Sequence, residues 1–423
     1  MKLINSRFSI LVACGAAAHG AAACGTTDSD ADTETSGSTT ESPSQPTATG
    51  SIGAVASSLP ECKAQRAVYV VAGNGALSWF TLVWPAPAVI NTFQPQYAYD
   101  NPAAVKDVSA TAAHPLFARK VGTRAVWEGR GTNPQPSVFV AGTNETHTSA
   151  PTSILSSATA GNLAGQGAAI QTTLPSSIPV MTFGTAGPYT AVPGAPLAIN
   201  ASSLDTAIAA FDGRISATQQ QMLRPSAAQL ARYVPAGANA AETDFGTDLA
   251  FTANAFRLGL INTVMIPAFR DDPHGAFTSG TAGPRADHLA ATLDAFYTDL
   301  AAAPEPSCSH AGQQIALADN VVTVVDGDTP KNSFNNAGWP DGTPGNSNWL
   351  YLRSNGFTRP GWFGDIEPTQ RTNFDPTSGL TAPTAAVAPA TAATYAGVLY
   401  SIARGDKGRV ATVTSAPFDG VIQ

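Results

Sequence analysis

Four short stretches are apolar at successive positions rather than at alternate ones: residues 66–71, 137–142, 261–269 and 321–325. A strand covered on both faces has this pattern, because neither side of its pleat meets water. Between these runs lie segments of helical period. Ser202 or Ser203 caps a run through Leu204, Ile208 and Phe211, and a second helix covers about residues 218–233. A third, from Asp248, puts Leu249, Ala253, Phe256 and Leu260 on one face. Pro284 opens a fourth, in which Leu289, Leu293, Phe296, Tyr297 and Leu300 share a face, and a last helix spans about residues 392–403. Residues 150–200, rich in Ser, Thr, Ala, Gly and Pro, are expected to form an elaborated surface region. Alternating strands and helices predict an α/β fold: a mostly parallel central sheet with helices on both faces and loop-rich insertions.

The ends of the chain's apolar pattern carry further meaning. Lys2 and Arg7 precede an apolar stretch at residues 8–23 that is too short to span a bilayer. A positive start, an apolar core and small residues before a cysteine make a lipoprotein-type signal, residues 1–24, with Cys24 as the lipidated residue. Residues 11–14 form a better box by residue type but leave almost no apolar core before Cys14; cleavage by ordinary signal peptidase is the other alternative. Residues 25–51 are Thr, Ser, Asp, Glu, Gly and Pro with almost no large apolar side chain, a disordered acidic tether. Residues 52–423 are left as a single α/β domain. The expected location is the envelope of a Gram-negative bacterium, at the outer membrane or in the periplasm, with the lipid anchor as the membrane contact.

Composition narrows the partners. The chain is 43% hydrophobic and 12% charged, with a net charge of −8 and no basic cluster, which argues against nucleic acid. Of its 4 cysteines, Cys62 and Cys308 lie outside the signal. In an oxidising compartment a Cys62–Cys308 disulfide is the default expectation, with two free buried thiols as the alternative.

Open α/β sheets bind ligands outside the carboxyl ends of their strands. Three strand ends here carry polar clusters: Asn74 with Ser78, then Asp271, Asp272 and His274, then Asp326 and Asp328. Carboxylate oxygen and neutral imidazole nitrogen suit zinc or manganese, so Asp272, His274, Asp326 and Asp328 are candidate metal ligands. Any one cluster alone is also ordinary turn chemistry. Residues 327–363 are long, rich in Gly, Asn, Asp and Trp, and read as a structured cover or a binding loop over that edge. Asp341, Asn346, Asn348 and Trp349 are its candidate ligand contacts. Ser78, and the hydroxyls of Thr146, Thr148 and Ser149 around His147, are candidate nucleophiles.

Several of these segments together resemble a large group of exported bacterial proteins of unknown function, distantly allied to sulfatases and the alkaline-phosphatase superfamily. The resemblance runs through residues 68–75, 256–277, the helix that follows, 321–332 and the closing helix, and covers most of residues 62–405. It implies an alkaline-phosphatase-like fold and a metal-dependent phosphate or sulfate ester hydrolase. Such relatives place an Asp after the first strand, a Trp-Asp-Thr-His-like motif after a later one, and an Asp-His pair after a Ser-Glu-Phe-Gly-Arg-like strand end. This chain has Asn74 at the first position, Asp272-Pro273-His274 at the second, and no Asp-His pair near residues 345–348. Two metal sets are therefore degraded. An Asn can offer a carbonyl oxygen but not the charge that holds a divalent ion tightly. The alternatives are a catalytically inactive lipoprotein binding a glycan, protein or small ligand on the same scaffold, and a domain stabilised by calcium at Asp326, Asp328 and Asp341.

Overall fold

A computed structural model describes residues 58–81, 83–84, 120–121, 124–125, 136–145, 147–148, 163–171, 178–184, 189, 192–269, 272, 276, 281–328, 330, 347–366 and 370–423. All lie within Ser51–Gln423, which forms one compact unit. The signal, Cys24 and the tether fall outside the described residues.

The strands are β1 (Arg66–Ala72), β2 (Lys120–Val121), β3 (Arg124–Ala125), β4 (Ser137–Thr143), β5 (Ile178–Phe183) and β6 (Ile199–Ala201). They continue with β7 (Ile261–Pro267), β8 (Val321–Gly327), β9 (Ser347–Arg353), β10 (Gly361–Phe363), β11 (Asp365–Ile366) and β12 (Arg371–Thr372). Eight of them form one sheet in the order β10-β4-β9-β8-β1-β7-β5-β6. β1 is parallel to β7 and β8, and β5 is parallel to β6 and β7. β9 alone runs against its neighbours β8 and β4. The mostly parallel α/β sheet expected from the uniformly apolar runs is present.

Nine helices flank it among the described residues: α1 (Leu77–Thr81), α2 (Leu163–Ile170), α3 (Leu204–Ala209), α4 (Ala217–Leu223), α5 (Ala227–Tyr233), α6 (Ala240–Arg257), α7 (Ala282–Ala302), α8 (Val387–Ile402) and α9 (Lys407–Ala411). Successive side chains of β1 point to opposite faces. Val68 and Val70 join the core under α1, α6 and α7, while Ala67, Tyr69 and Val71 join the core under α2 and α8. All seven residues of β1 are buried. Each large apolar side chain taken fully from water contributes about 1.5–3 kcal/mol, so a strand between two helical layers is the best-anchored part of the fold.

Several elements differ from the sequence expectation. Residues 178–183 form β5, an inner strand of the sheet, although residues 150–200 are expected as surface. Pro179 disguises it, and is tolerated because β6 pairs only Met181–Phe183. Residues 347–353, expected in a loop, form β9, with Trp349 and Tyr351 in one core and Leu350 and Leu352 in the other. The helix expected over 218–233 is two helices. Pro225 drives the residue before it out of the helical region, and Arg224 has ψ 120°; Ser226 then caps α5 by accepting from the Gln229 N–H. α6 begins at Ala240 rather than at 248, because Asn239 and Glu242 form a reciprocal capping box. α8 begins at Val387, with Pro389 in its first turn where a missing N–H costs nothing.

Cys62 and Cys308 form a disulfide, which excludes the free-thiol alternative. Near it Arg66, fully buried, pairs with Glu305 through two hydrogen bonds of 3.0 and 2.7 Å. No helix among the described residues is long and apolar enough to cross a membrane.

Candidate functional site

The carboxyl ends of β1, β4 and β8 interlock, and the segment after β7 closes against them. Gly327 makes this possible at β8. A Cβ there would lie 2.4 Å from the Ala72 carbonyl oxygen and 2.6 Å from Leu77 Cβ. Beyond β1 the chain turns through Asn74 (φ 56°) and Gly75 (φ 86°), both left-handed. The turn brings the Gly75 N–H to Asp328 Oδ1 at 2.8 Å. The Asn74 N–H donates to the Thr148 carbonyl and the Glu145 N–H to the Asp328 carbonyl, each at 2.9 Å. His147 is also left-handed (φ 49°), and two non-glycine residues in that region at one strand edge are strain held by surrounding structure.

Asp326 stands at the centre. It pairs in register with Val71 and is 1% exposed. Neither of its carboxyl oxygens makes a hydrogen bond of good geometry. Burial drives its pKa well above the ordinary carboxylate value; Glu145 and, more weakly, Asp328 add repulsion, while the Gly327 amide pulls the other way. The contrast with Glu305 is informative. That carboxylate is equally buried but accepts four hydrogen bonds, from Arg66 Nε and Nη2, the Ser307 N–H and Asn320 Nδ2. A buried acid without such donors is costly and marks a functional-site candidate.

Asp272 follows β7 and approaches the same turn, its Cγ lying 3.2 Å from where a Cβ on Gly75 would stand. Its Oδ2 meets His147 Nε2 at 3.2 Å. Tertiary structure thus places Asp272, Asp326 and Asp328 near one strand edge. It adds His147 and Glu145, which the sequence reading left out of the acidic set. Their signal was the polar run after 137–142, a fourth strand end carrying the same kind of residues as the other three.

The remaining expectations divide. His274 and Asp271 lie outside the described residues, as do Asp341, Asn346, Thr146 and Ser149. Asn348 and Trp349 belong to β9 rather than to a loop. Asn348 is fully buried; its Nδ2 donates to the Gly327 carbonyl at 2.7 Å and its Oδ1 accepts from the Trp349 N–H at 2.8 Å. It braces the β8 turn from behind. Trp349 packs edge-on against Trp362 in the core, centroids 6.1 Å apart. Ser78 is buried in α1. Asn74 contributes its backbone to the site through Thr148.

Among the described residues no three His, Cys, Asp or Glu side chains converge closely enough to hold an ion. The carboxylates form instead a repelling centre (Asp326, Asp328, Glu145) beside a separate Asp272–His147 couple. No protein-family model, curated protein or solved structure matches this chain.

Proposed function

We propose that the chain is an exported envelope lipoprotein on a sulfatase- and alkaline-phosphatase-like scaffold, a metal-dependent hydrolase of phosphate or sulfate esters. The observation that carries this reading is Asp326: buried, with no hydrogen bond of good geometry among the described residues, and facing two further carboxylates. One divalent cation, zinc, manganese or calcium, would offset that repulsion if ligands beyond the converging carboxylates complete its shell; a two-metal pair is disfavoured, since Asn74 replaces the first acid of the related motif. Asp326 and Asp328 would hold it, with Asp272 and His274 the ligands added by the resemblance. When bound, the ion supplies Lewis-acid polarisation of the ester oxygen.

The chain's own residues supply the proton handling. Asp272 Oδ2, 3.2 Å from His147 Nε2, orients the imidazole, and His147 is the group that would take or give a proton there. His147 is 38% exposed at its side chain, so a substrate or water can reach it. The left-handed backbone at His147 and the tie between Asn74 and Thr148 hold that ring over the strand edge.

A second reading, a catalytically inactive protein binding a small molecule or glycan, is favoured by the absence of three converging ligands among the described residues. Metal content by plasma mass spectrometry on the purified chain, beside Asp326→Asn, separates the two. About one equivalent of a divalent metal, lost in the variant and accompanied by release of phosphate or sulfate from nitrophenyl esters, supports the hydrolase. Stoichiometric metal without turnover supports the binding protein. A folded, metal-free wild type overturns the cation site.

A further inference from the structure

A cavity among the described residues lies apart from the strand-end site, sharing no lining residue with it. It has a volume of about 570 Å³ and lies between α4, α5 and the C-terminal ends of α6 and α7. That is ample for a small organic ligand, for which pockets of about 300–1,000 Å³ are usual. Three arginines line it, Arg224, Arg232 and Arg257, against one acid, Asp299.

The acid is already saturated. Asp299 accepts two hydrogen bonds from Arg232, at 2.8 and 3.1 Å, one from Tyr233 Oη at 3.0 Å and one from Gln229 Nε2 at 3.1 Å. Arg232 and Asp299 therefore form a neutral floor. Among the described residues Arg224 engages Asp205 alone, itself 79% exposed at the side chain. Such an exposed pair is worth about 0–1 kcal/mol and yields readily to a better-placed anion. Arg257 is exposed and makes no ion pair among the described residues. Arg257 in the last turn of α6 and Arg224 at the C-cap of α4 both complement helix dipoles, and the cavity brings these two helix ends to one lining. The lining also includes the apolar Met222, Ala302 and Pro304.

We infer that this cavity binds a small carboxylate-bearing ligand with an apolar body, its carboxylate held between Arg224 and Arg257 and its hydrocarbon part laid on Met222 and Pro304. The planar guanidinium fork matches a carboxylate with two parallel hydrogen bonds, which a lysine cannot offer. The site is independent of the proposed hydrolase.

Calorimetric titration of the full chain with hexanoate, hexylammonium and inorganic phosphate tests it. Saturable binding of hexanoate alone is expected. Arg257→Gln and Arg224→Gln should each weaken it about tenfold or more, the scale of one charge-assisted hydrogen bond, at unchanged thermal unfolding. Asp205→Asn should tighten it by releasing Arg224. Absence of hexanoate binding, equal binding of hexylammonium or phosphate, or indifference to both arginine substitutions would overturn the assignment.

Discussion

A buried carboxylate with no well-aligned donor is a liability unless something else compensates it, and Asp326 carries that liability at the centre of the sheet edge. Its pKa is raised, so between the ordinary carboxylate value of 3.8 and the folded value the native state keeps a proton that the unfolded chain has released. Stability of the metal-free protein from this group therefore falls as pH rises through that window. Asp326→Asn should flatten this fall in urea unfolding measured from pH 4 to 8, and should be more stable than wild type at pH 7 without added metal. If wild type and variant share one pH profile, Asp326 is not held in its neutral form. At this scale the sequence was legible where chemistry is local: Asp326, Asp328 and Asp272 stand at strand ends and announce themselves there. It was not legible where chemistry depends on contact across the sheet. His147 and Glu145 acquire meaning only through Asp272, after β7, and Asp326, in β8, both far away in the chain.

Elements show the same division. β1, β7 and β8 are readable because parallel strands buried on both faces leave an unbroken apolar run. β5 and β9 are not, since Pro179 interrupts one and the Gly- and Asn-rich flank of the other imitates a loop. The start of α6 was missed because its first turn is set by a cap and not by apolar period. That cap is also an ionic junction. Buried Glu242 accepts from the Asn239 N–H at 2.8 Å, from Arg285 Nε at 2.8 Å, and lies 3.1 Å from His288 Nδ1, joining α6 to α7. Burial acts to raise the Glu242 pKa, but Arg285, the Asn239 amide and His288 outweigh it and hold it below the ordinary 4.5. A lowered acid pKa gives stability that is present above 4.5 and lost as pH falls through the folded value. Glu242→Gln should thus cost about 1.5–3 kcal/mol at pH 7, the range for hydrogen bonds to charged groups. It should also remove part of the acid limb of the unfolding curve. A variant as stable as wild type at pH 7 would reduce this junction to a surface contact.

For the whole molecule, the two short edge strands, β10 and β6, and the two helical layers leave the sheet covered. The segment before β1 has no such cover of its own. Residues 58–65 are tied instead to the stretch after α7: the Cys62 N–H donates to the Ser309 carbonyl and the Ser309 N–H to the Pro60 carbonyl, both at 2.9 Å. The disulfide fixes that junction, beside the buried Arg66–Glu305 pair that anchors β1. Cross-linking positions 246 apart in sequence denies the unfolded chain a large part of its freedom. Cys308→Ser should therefore lower the unfolding free energy by about 2–5 kcal/mol, read from the urea midpoint at unchanged slope. Adding reductant to wild type should reproduce the loss. A Cys62→Ser/Cys308→Ser double variant should lose no more than the single one, because both changes delete one bond. A midpoint unmoved by Cys308→Ser would mean that backbone pairing and the Arg66–Glu305 pair hold the junction unaided.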